Sequence, residues 1–234
     1  MQMEPSPTDD LQTNSLPTDD QPVDSPPPVT IKSSYRVTRN IRYVIEAVIA
    51  IAIGVGLSTL LATTLIVVQA GRMITSENGW YALLNYDQMT GNFLERAAVS
   101  YLQPGTNSPE EAVYWQTTVD GNRQTLNGAN NYVIHFPAGE LPPNDAFWSL
   151  TITDAKGRMV ANSINRNSLS SHADLQFNAD GSIDFYIQST APSGNQSNWL
   201  PAPDGDYKLW LRVYQPGASV LSGAYQVPPV VEVN

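Results

Sequence analysis

One stretch of the sequence, residues 43–68, limits what the chain can fold into more than any other. It reads YVIEAVIAIAIGVGLSTLLATTLIVV and contains a single charged residue, Glu46. A run of about 20 apolar residues is long enough to span the hydrocarbon core of a bilayer. A cleaved signal peptide has a shorter apolar core, roughly 7 to 15 residues, close to the amino terminus. We therefore predict a transmembrane helix over residues 43–68, with the lipid bilayer as a partner.

The basic residues around this run predict its orientation. Residues 32–42 form a basic juxtamembrane segment, whereas only Arg72 lies immediately after the run. Because the cytoplasmic flanks of membrane helices carry an excess of lysine and arginine, we expect the amino terminus in the cytoplasm. The carboxy-terminal part is then an exported domain, periplasmic or extracellular, of a single-pass protein.

The amino-terminal segment, residues 1–31, is rich in proline and aspartate and contains no basic residue. A segment with so little apolar surface to bury is typical of disordered chains. We predict a disordered, acidic cytoplasmic tail, and nothing in its sequence assigns it a role.

The overall composition excludes several classes of function. The chain has a formal net charge of −10 and only 12 lysine and arginine residues, which argues against nucleic acid as a partner. It has no cysteine, so disulfides, thiolate metal sites and a cysteine nucleophile are excluded. Its two histidines, His135 and His172, would need carboxylates to complete a zinc site. We predict no metal and no cofactor.

Two patterns follow the apolar run. Residues 73–107 place apolar side chains at roughly helical spacing, which predicts a connector of one or two short helices. From residue 108 onward, short runs rich in β-branched and aromatic residues alternate with turn signals such as Asp120-Gly121 and Asp180-Gly181. No long helical pattern separates these runs. We therefore predict a mainly β fold, an antiparallel β-sandwich over residues 108–234.

Several motifs in this part of the chain occur in the order of a known family. They are FWSLTITDAKGRMVANSINRNSLSS, NADGSIDFYIQSTAP, NWLPAPDGDYKLWLRVYQP and YQVPPVVEV. With these motifs the chain resembles the domain-of-unknown-function family 1214, in its short, membrane-anchored form without the 1254-type partner domain. The resemblance implies a jelly-roll-like β-sandwich. It implies no reaction, so the catalytic residues stay unknown.

The candidate ligand-binding residues come from two segments. Arg166 lies in the polar loop NSINRNSLS, and arginine is suited to bidentate binding of a carboxylate. In the run YKLWLRVY, alternation puts Trp210, Arg212 and Tyr214 on one face, opposite Leu209 and Leu211. Such a face suits an acidic sugar or a peptide. The candidate set is Arg166, His172, Trp199, Trp210, Arg212 and Tyr214.

Structural roles are the alternative for the same residues. The arginines could instead tie loops to carboxylates such as Asp184 or Asp206, while the aromatic side chains close the core. His135 is expected to be a buried, hydrogen-bonded structural histidine. Asp204 and Asp206 flank Gly205 and are expected to form a turn.

Two functions from different classes remain open. The first is a binding or assembly module of the cell envelope, with a carbohydrate or protein ligand. The alternative is an envelope enzyme, a hydrolase or lyase acting on a polysaccharide or another exported substrate with Arg166, His172 and a carboxylate. A pocket that joins these three groups would favour the enzyme.

Overall fold

The structure is a computed structural model that describes residues 33–84, 86 and 92–233. Contacts divide the chain into two units, Met1–Gly54 and Val55–Asn234. The predicted tail of residues 1–31 lies outside the described residues. The strands all belong to the second unit, which also contains the carboxy-terminal part of the first helix.

The first helix, α1, covers Ser33–Met73 and contains the apolar run predicted from the sequence. Within the described residues it is the one helix long and apolar enough to cross a membrane, over Thr38–Met73, and it fits a membrane span or a signal anchor. Its acidic residue Glu46 accepts a hydrogen bond from Nε of Arg42, one turn earlier, at 2.8 Å. This pairing reduces the charge that the apolar helix carries near its start.

Ten strands follow, in two sheets. The six-stranded sheet has the order β1-β2-β3-β9-β5-β6, and all its pairs are antiparallel. The four-stranded sheet has the order β10-β4-β7-β8, in which β7 and β8 are parallel. The strands are β1 Ile74–Glu77, β2 Trp80–Leu83, β3 Ala112–Thr117, β4 Asn131–Phe136, β5 Asn144–Asp154, β6 Ser168–Ser170, β7 Ile183–Gln188, β8 Trp199–Pro201, β9 Tyr207–Pro216 and β10 Val230–Val233. The shorter helices are α2 Phe93–Leu102, the 3₁₀ turn Gln196–Asn198 and α3 Ala218–Leu221.

Side chains from both sheets form one hydrophobic core, as the alternating patterns predict. In β7, Ile183, Phe185 and Ile187 are buried, and in β9 the buried positions begin at Tyr207 and recur at every second residue. Each fully buried side chain of this size contributes about 1.5–3 kcal/mol to the free energy of unfolding. The mainly β fold is therefore confirmed, with one antiparallel and one mixed sheet.

The helical prediction for residues 80–84 is wrong. Strands β1 and β2 form a hairpin in which Glu77 pairs with Trp80, so that only Asn78 and Gly79 connect them. Both connecting residues have positive φ, 52° and 84°, and an Asn-Gly pair readily adopts this conformation in two-residue hairpin turns. The sheet consequently begins at residue 74, well before residue 108.

A helix does form later in the predicted connector. The backbone N–H of Glu95 donates to the side chain of Asn92 at 3.1 Å, which caps the first turn of α2. A second, smaller apolar cluster joins α2 to β2 and to the last turn of α1. Its buried members are Ala70, Met73, Leu83, Tyr86, Ala98 and Val99.

Candidate ligand-binding face

The six-stranded sheet has an outer face, on the side of its strands away from the shared core. Strand β9 contributes every second residue to this face, beginning at Lys208, and the strand register adds side chains from β3 and β5 beside them. Most of these side chains are half-buried. We define the outer face by Tyr114, Phe147, Thr151, Lys208, Trp210, Arg212 and Tyr214.

Arg212 is the central charge on the outer face. Its Nη1 donates a hydrogen bond to Oγ1 of Thr151 at 2.9 Å. Its guanidinium carbon lies 5.2 Å from the ring centroid of Trp210, and Nζ of Lys208 lies 5.3 Å from the same ring. Cations at this distance are attracted by the face of an indole ring. The hydrogen bond to Thr151 and the contact with the Trp210 ring hold the Arg212 side chain in one place on the sheet.

The electrostatic state of Arg212 favours an anionic ligand. Burial lowers the pKa of Arg212 from its ordinary value, yet arginine remains protonated at neutral pH. Within the described part of the chain, no carboxylate forms an ion pair with it. A partly desolvated guanidinium with free N–H groups binds a carboxylate more strongly than a fully solvated one does.

A row of aromatic rings borders Arg212. Phe147 stacks on Tyr214 with 4.3 Å between ring centroids and an angle of 20° between their planes. Tyr114 meets Tyr214 edge to face at 6.4 Å, and the ring of His172 lies 5.4 Å from that of Phe147. Amphipathic rings of this kind provide apolar contact area at small entropic cost.

A cavity opens beside these side chains. It has a volume of about 270 Å³ and is lined by Tyr114, Trp210, Arg212 and the segment 102–106. Pockets for drug-sized ligands usually measure about 300–1,000 Å³, so this one suits a single ring or acidic group of a larger ligand. Two of the predicted ligand-binding residues, Trp210 and Arg212, therefore line the same cavity.

The structure places Arg166 and Trp199 elsewhere. Nη1 of Arg166 donates to the carbonyl oxygens of Gln196 at 2.7 Å and of Trp199 at 3.0 Å, which ties its loop to the start of β8. Trp199 is buried and donates its indole N–H to the carbonyl of Gln188 at 2.9 Å. Both residues therefore have structural contacts of their own. The partners of Arg166 are carbonyl groups, not the carboxylates that the sequence suggested.

Those carboxylates have other partners. Asp184 lies 2.7 Å from Nδ1 of His135, and Asp206 accepts from the amide of Asn127 at 2.7 Å. His135 is hydrogen-bonded as predicted, but it is exposed where burial was predicted, because it points away from the core on β4. In the ranges that the structure describes, no three histidine, aspartate or glutamate side chains group closely enough to hold a metal ion.

Sequence reasoning missed Tyr114, Phe147, Thr151 and Lys208. Alternation within each strand does put Tyr114 opposite the buried Trp115, and Phe147 opposite the buried Trp148. What the sequence lacks is the register, which sets Tyr114 beside Arg212 and Phe147 beside Tyr214.

Comparison with known proteins confirms the predicted family resemblance. Residues 111–218 match the family model described as "Protein of unknown function (DUF1214)". No curated protein matches the chain.

A solved structure shows a similar fold. The crystal structure of the VPA0106 protein from Vibrio parahaemolyticus is 26% identical, with a TM-score of 0.59, and the match covers 72% of this chain and 42% of that one. The chain thus spans less than half the length of that protein. A weaker match, an uncharacterized protein from Burkholderia cenocepacia, has 15% identity and a TM-score of 0.35, over 55% of this chain and 31% of that one.

Proposed function

We propose that the β domain of this chain, in which residues 111–218 match the DUF1214 family model, is a ligand-binding module of the cell envelope. Helix α1 anchors it to a membrane, and the outer face of the six-stranded sheet is the binding surface. The ligand is an acidic saccharide. The domain is a jelly-roll-like sandwich, in keeping with the family resemblance.

The single observation that carries this proposal is the environment of Arg212. It is a half-buried cation held between Thr151 and Trp210, without a carboxylate partner among the described residues. Leaving a charge partly buried and unpaired is unfavourable for folding. A ligand carboxylate would supply the missing counter-ion and accept the remaining N–H groups of the guanidinium.

A saccharide fits this surface better than a peptide does. Sugar rings have apolar faces that pack on aromatic rings, and they have hydroxyl groups that bond to side chains such as Thr151. A peptide that adds to a sheet uses the unpaired backbone of an edge strand. Strand β9 is paired on both sides, with β3 and with β5, and therefore offers side chains only.

The enzyme alternative has less support. It required Arg166, His172 and a carboxylate around one pocket. The guanidinium of Arg166 instead bonds to carbonyl groups near β8, and His172 lies against Phe147 on the exposed end of the aromatic row.

The ligand class can be tested with the full chain in detergent micelles. A set of uronic-acid oligosaccharides would be presented together with the same oligosaccharides after reduction of their carboxyl groups. We expect the acidic members to bind and the reduced ones to bind much less. No preference between the two forms would contradict the proposal.

Two additions sharpen this experiment. Arg212→Gln should abolish the preference, whereas Arg158→Gln should keep it, because Arg158 is an exposed arginine paired with Asp154 on a turn. Mass spectrometry of the incubated oligosaccharides should find them intact. Shortened products would favour the enzyme.

The orientation of the chain is part of the proposal and has its own test. With the amino terminus in the cytoplasm, Ser193→Cys in the exposed loop before β8 should react with a membrane-impermeant maleimide on intact cells, or on intact spheroplasts if an outer membrane surrounds them. The chain has no other cysteine to interfere. Thr8→Cys in the amino-terminal segment should react only after lysis, and the reverse pattern would overturn the orientation.

A further inference from the structure

Helix α2 has an apolar strip that no other described part of the chain covers. Phe93 is 80% exposed, Tyr101 60% and Leu94 37%. At 100° per residue these positions, with Ala97 between them, fall within about 100° of the helix circumference. Exposed single apolar residues are common, but a strip of large ones along a helix usually marks an interaction surface.

The opposite side of α2 fixes where this strip lies. Ala98 and Val99 are buried in the cluster that contains Ala70 and Met73 of the last turn of α1. The Asn92 cap stabilises the first turn of α2, and the packing in this cluster holds the helix against β2 and the end of α1. The strip is therefore attached to the end of the apolar helix.

The distance along α1 gives the depth of α2 in a membrane. The apolar run ends at Val68, and α1 rises 1.5 Å per residue, so Ala70 is about 3 Å and Met73 about 7.5 Å beyond it. The headgroup region is roughly 5–8 Å thick on each side of the hydrocarbon core. Helix α2 packs against the residues that lie in this layer when α1 spans the bilayer.

The charges near the strip agree with a lipid surface. Arg96 is exposed on α2 beside Phe93, and Arg72 is exposed in the last turn of α1, whereas the acidic residue of α2, Glu95, is half-buried on the side away from the strip. Basic residues beside an apolar strip attract anionic headgroups, and this arrangement is typical of helices that lie in the membrane interface.

We propose that α2 lies at the lipid–water interface, with Phe93, Leu94 and Tyr101 inserted among the headgroups of the leaflet next to the β domain. This inference depends on the proposed membrane anchor. It has a consequence for the ligand site, because Leu102 at the end of α2 lines the same cavity as Trp210 and Arg212. The ligand site then opens close to the membrane surface, where it meets saccharides attached to lipids or lying against the membrane.

The test uses single-cysteine variants of the full chain, labelled with the fluorophore NBD. The labelled proteins are reconstituted into vesicles of phosphatidylethanolamine with a minor fraction of phosphatidylglycerol, with and without doxyl-labelled lipids that quench NBD. Tyr101→Cys reports on the strip. Ser193→Cys is the control in the exposed loop between β7 and β8, and Leu57→Cys is the control for the anchor.

We expect strong quenching at Leu57→Cys, and quenching with a blue-shifted emission at Tyr101→Cys. The quenching at Tyr101→Cys should exceed that at Ser193→Cys by at least about twofold. Quenching at Leu57→Cys with none at Tyr101→Cys would overturn the interfacial position and leave the anchor intact. No quenching at Leu57→Cys would overturn the anchor, and the position of α2 with it. All three side chains are exposed, so their replacement leaves the fold intact.

Discussion

The two faces of strand β9 differ in what their side chains do. Tyr207, Leu209, Leu211 and Val213 point into the core and are at most 1% exposed. The alternate residues, from Lys208 to Tyr214, lie half-buried on the outer face. The inner side chains stabilise the fold because they bury apolar surface in the core. The outer set holds a cation and aromatic rings outside the core, and in our proposal it serves ligand binding.

The largest expected effect separates the two faces directly. Leu209→Ala should lower the free energy of unfolding by about 2–5 kcal/mol, because Leu209 is fully buried and leaves a cavity. The neighbouring outer-face change, Trp210→Ala, should lower it less. Urea unfolding followed by circular dichroism measures both. A larger loss for Trp210→Ala would mean that the outer face belongs to the stabilising core.

The two arginines extend the comparison to single side chains. Arg166→Gln should lower the free energy of unfolding by about 1.5–3 kcal/mol, since its guanidinium bonds to three backbone carbonyls at and just before the start of β8. Arg212→Gln should change stability less but reduce binding of an acidic saccharide. If Arg166→Gln reduced binding without loss of stability, Arg166 would belong to the ligand site after all.

The aromatic side of the outer face should affect affinity moderately. Trp210→Ala removes a ring against which Arg212 and a ligand can both pack, so we expect an affinity loss of about 0.5–1.5 kcal/mol. Isothermal titration with an acidic saccharide provides the measurement. Trp199→Phe is the matched control on a buried tryptophan, and its affinity should equal that of the unchanged protein.

The smallest effect concerns a polar group on the inner face. The hydroxyl of Tyr207 is buried and has no hydrogen-bond partner among the residues that the structure describes, so Tyr207→Phe should leave the free energy of unfolding unchanged or raise it by up to about 1 kcal/mol. Its ring neighbour Tyr132 accepts a hydrogen bond from the backbone of Asn127 at 3.2 Å. Tyr132→Phe should therefore be destabilising. Equal losses from both changes would contradict this difference.

Local patterns predicted the parts of the fold that depend on neighbouring residues. The apolar run of α1, the alternation in β7 and β9, and the Asp180-Gly181 turn all follow from short stretches of sequence. The β1–β2 hairpin was missed because the apolar residues after Asn78-Gly79 also match helical spacing. Its true conformation depends on pairing with Gln116 and Trp115 of β3, which lie more than 30 residues away.

The candidate site could be predicted only in part for the same reason. Trp210, Arg212 and Tyr214 share a face because they alternate along one strand. Phe147 and Tyr114 join them through the register of three strands, which no local pattern contains. Arg166 has the residue type and loop setting of a ligand contact, but its partners are backbone carbonyls about 30 residues later in the chain.

The preference of the protein for a carboxylate tests the central claim most directly. Titration calorimetry would give the dissociation constants of a uronic-acid oligosaccharide and of its carboxyl-reduced form, for the full chain and for Arg212→Gln. A hydrogen bond to a charged group contributes about 1.5–3 kcal/mol, so the acidic form should bind about 10- to 150-fold more tightly to the unchanged protein. The two forms should bind Arg212→Gln about equally. A preference that survives in Arg212→Gln would contradict a role of Arg212 in binding the carboxylate.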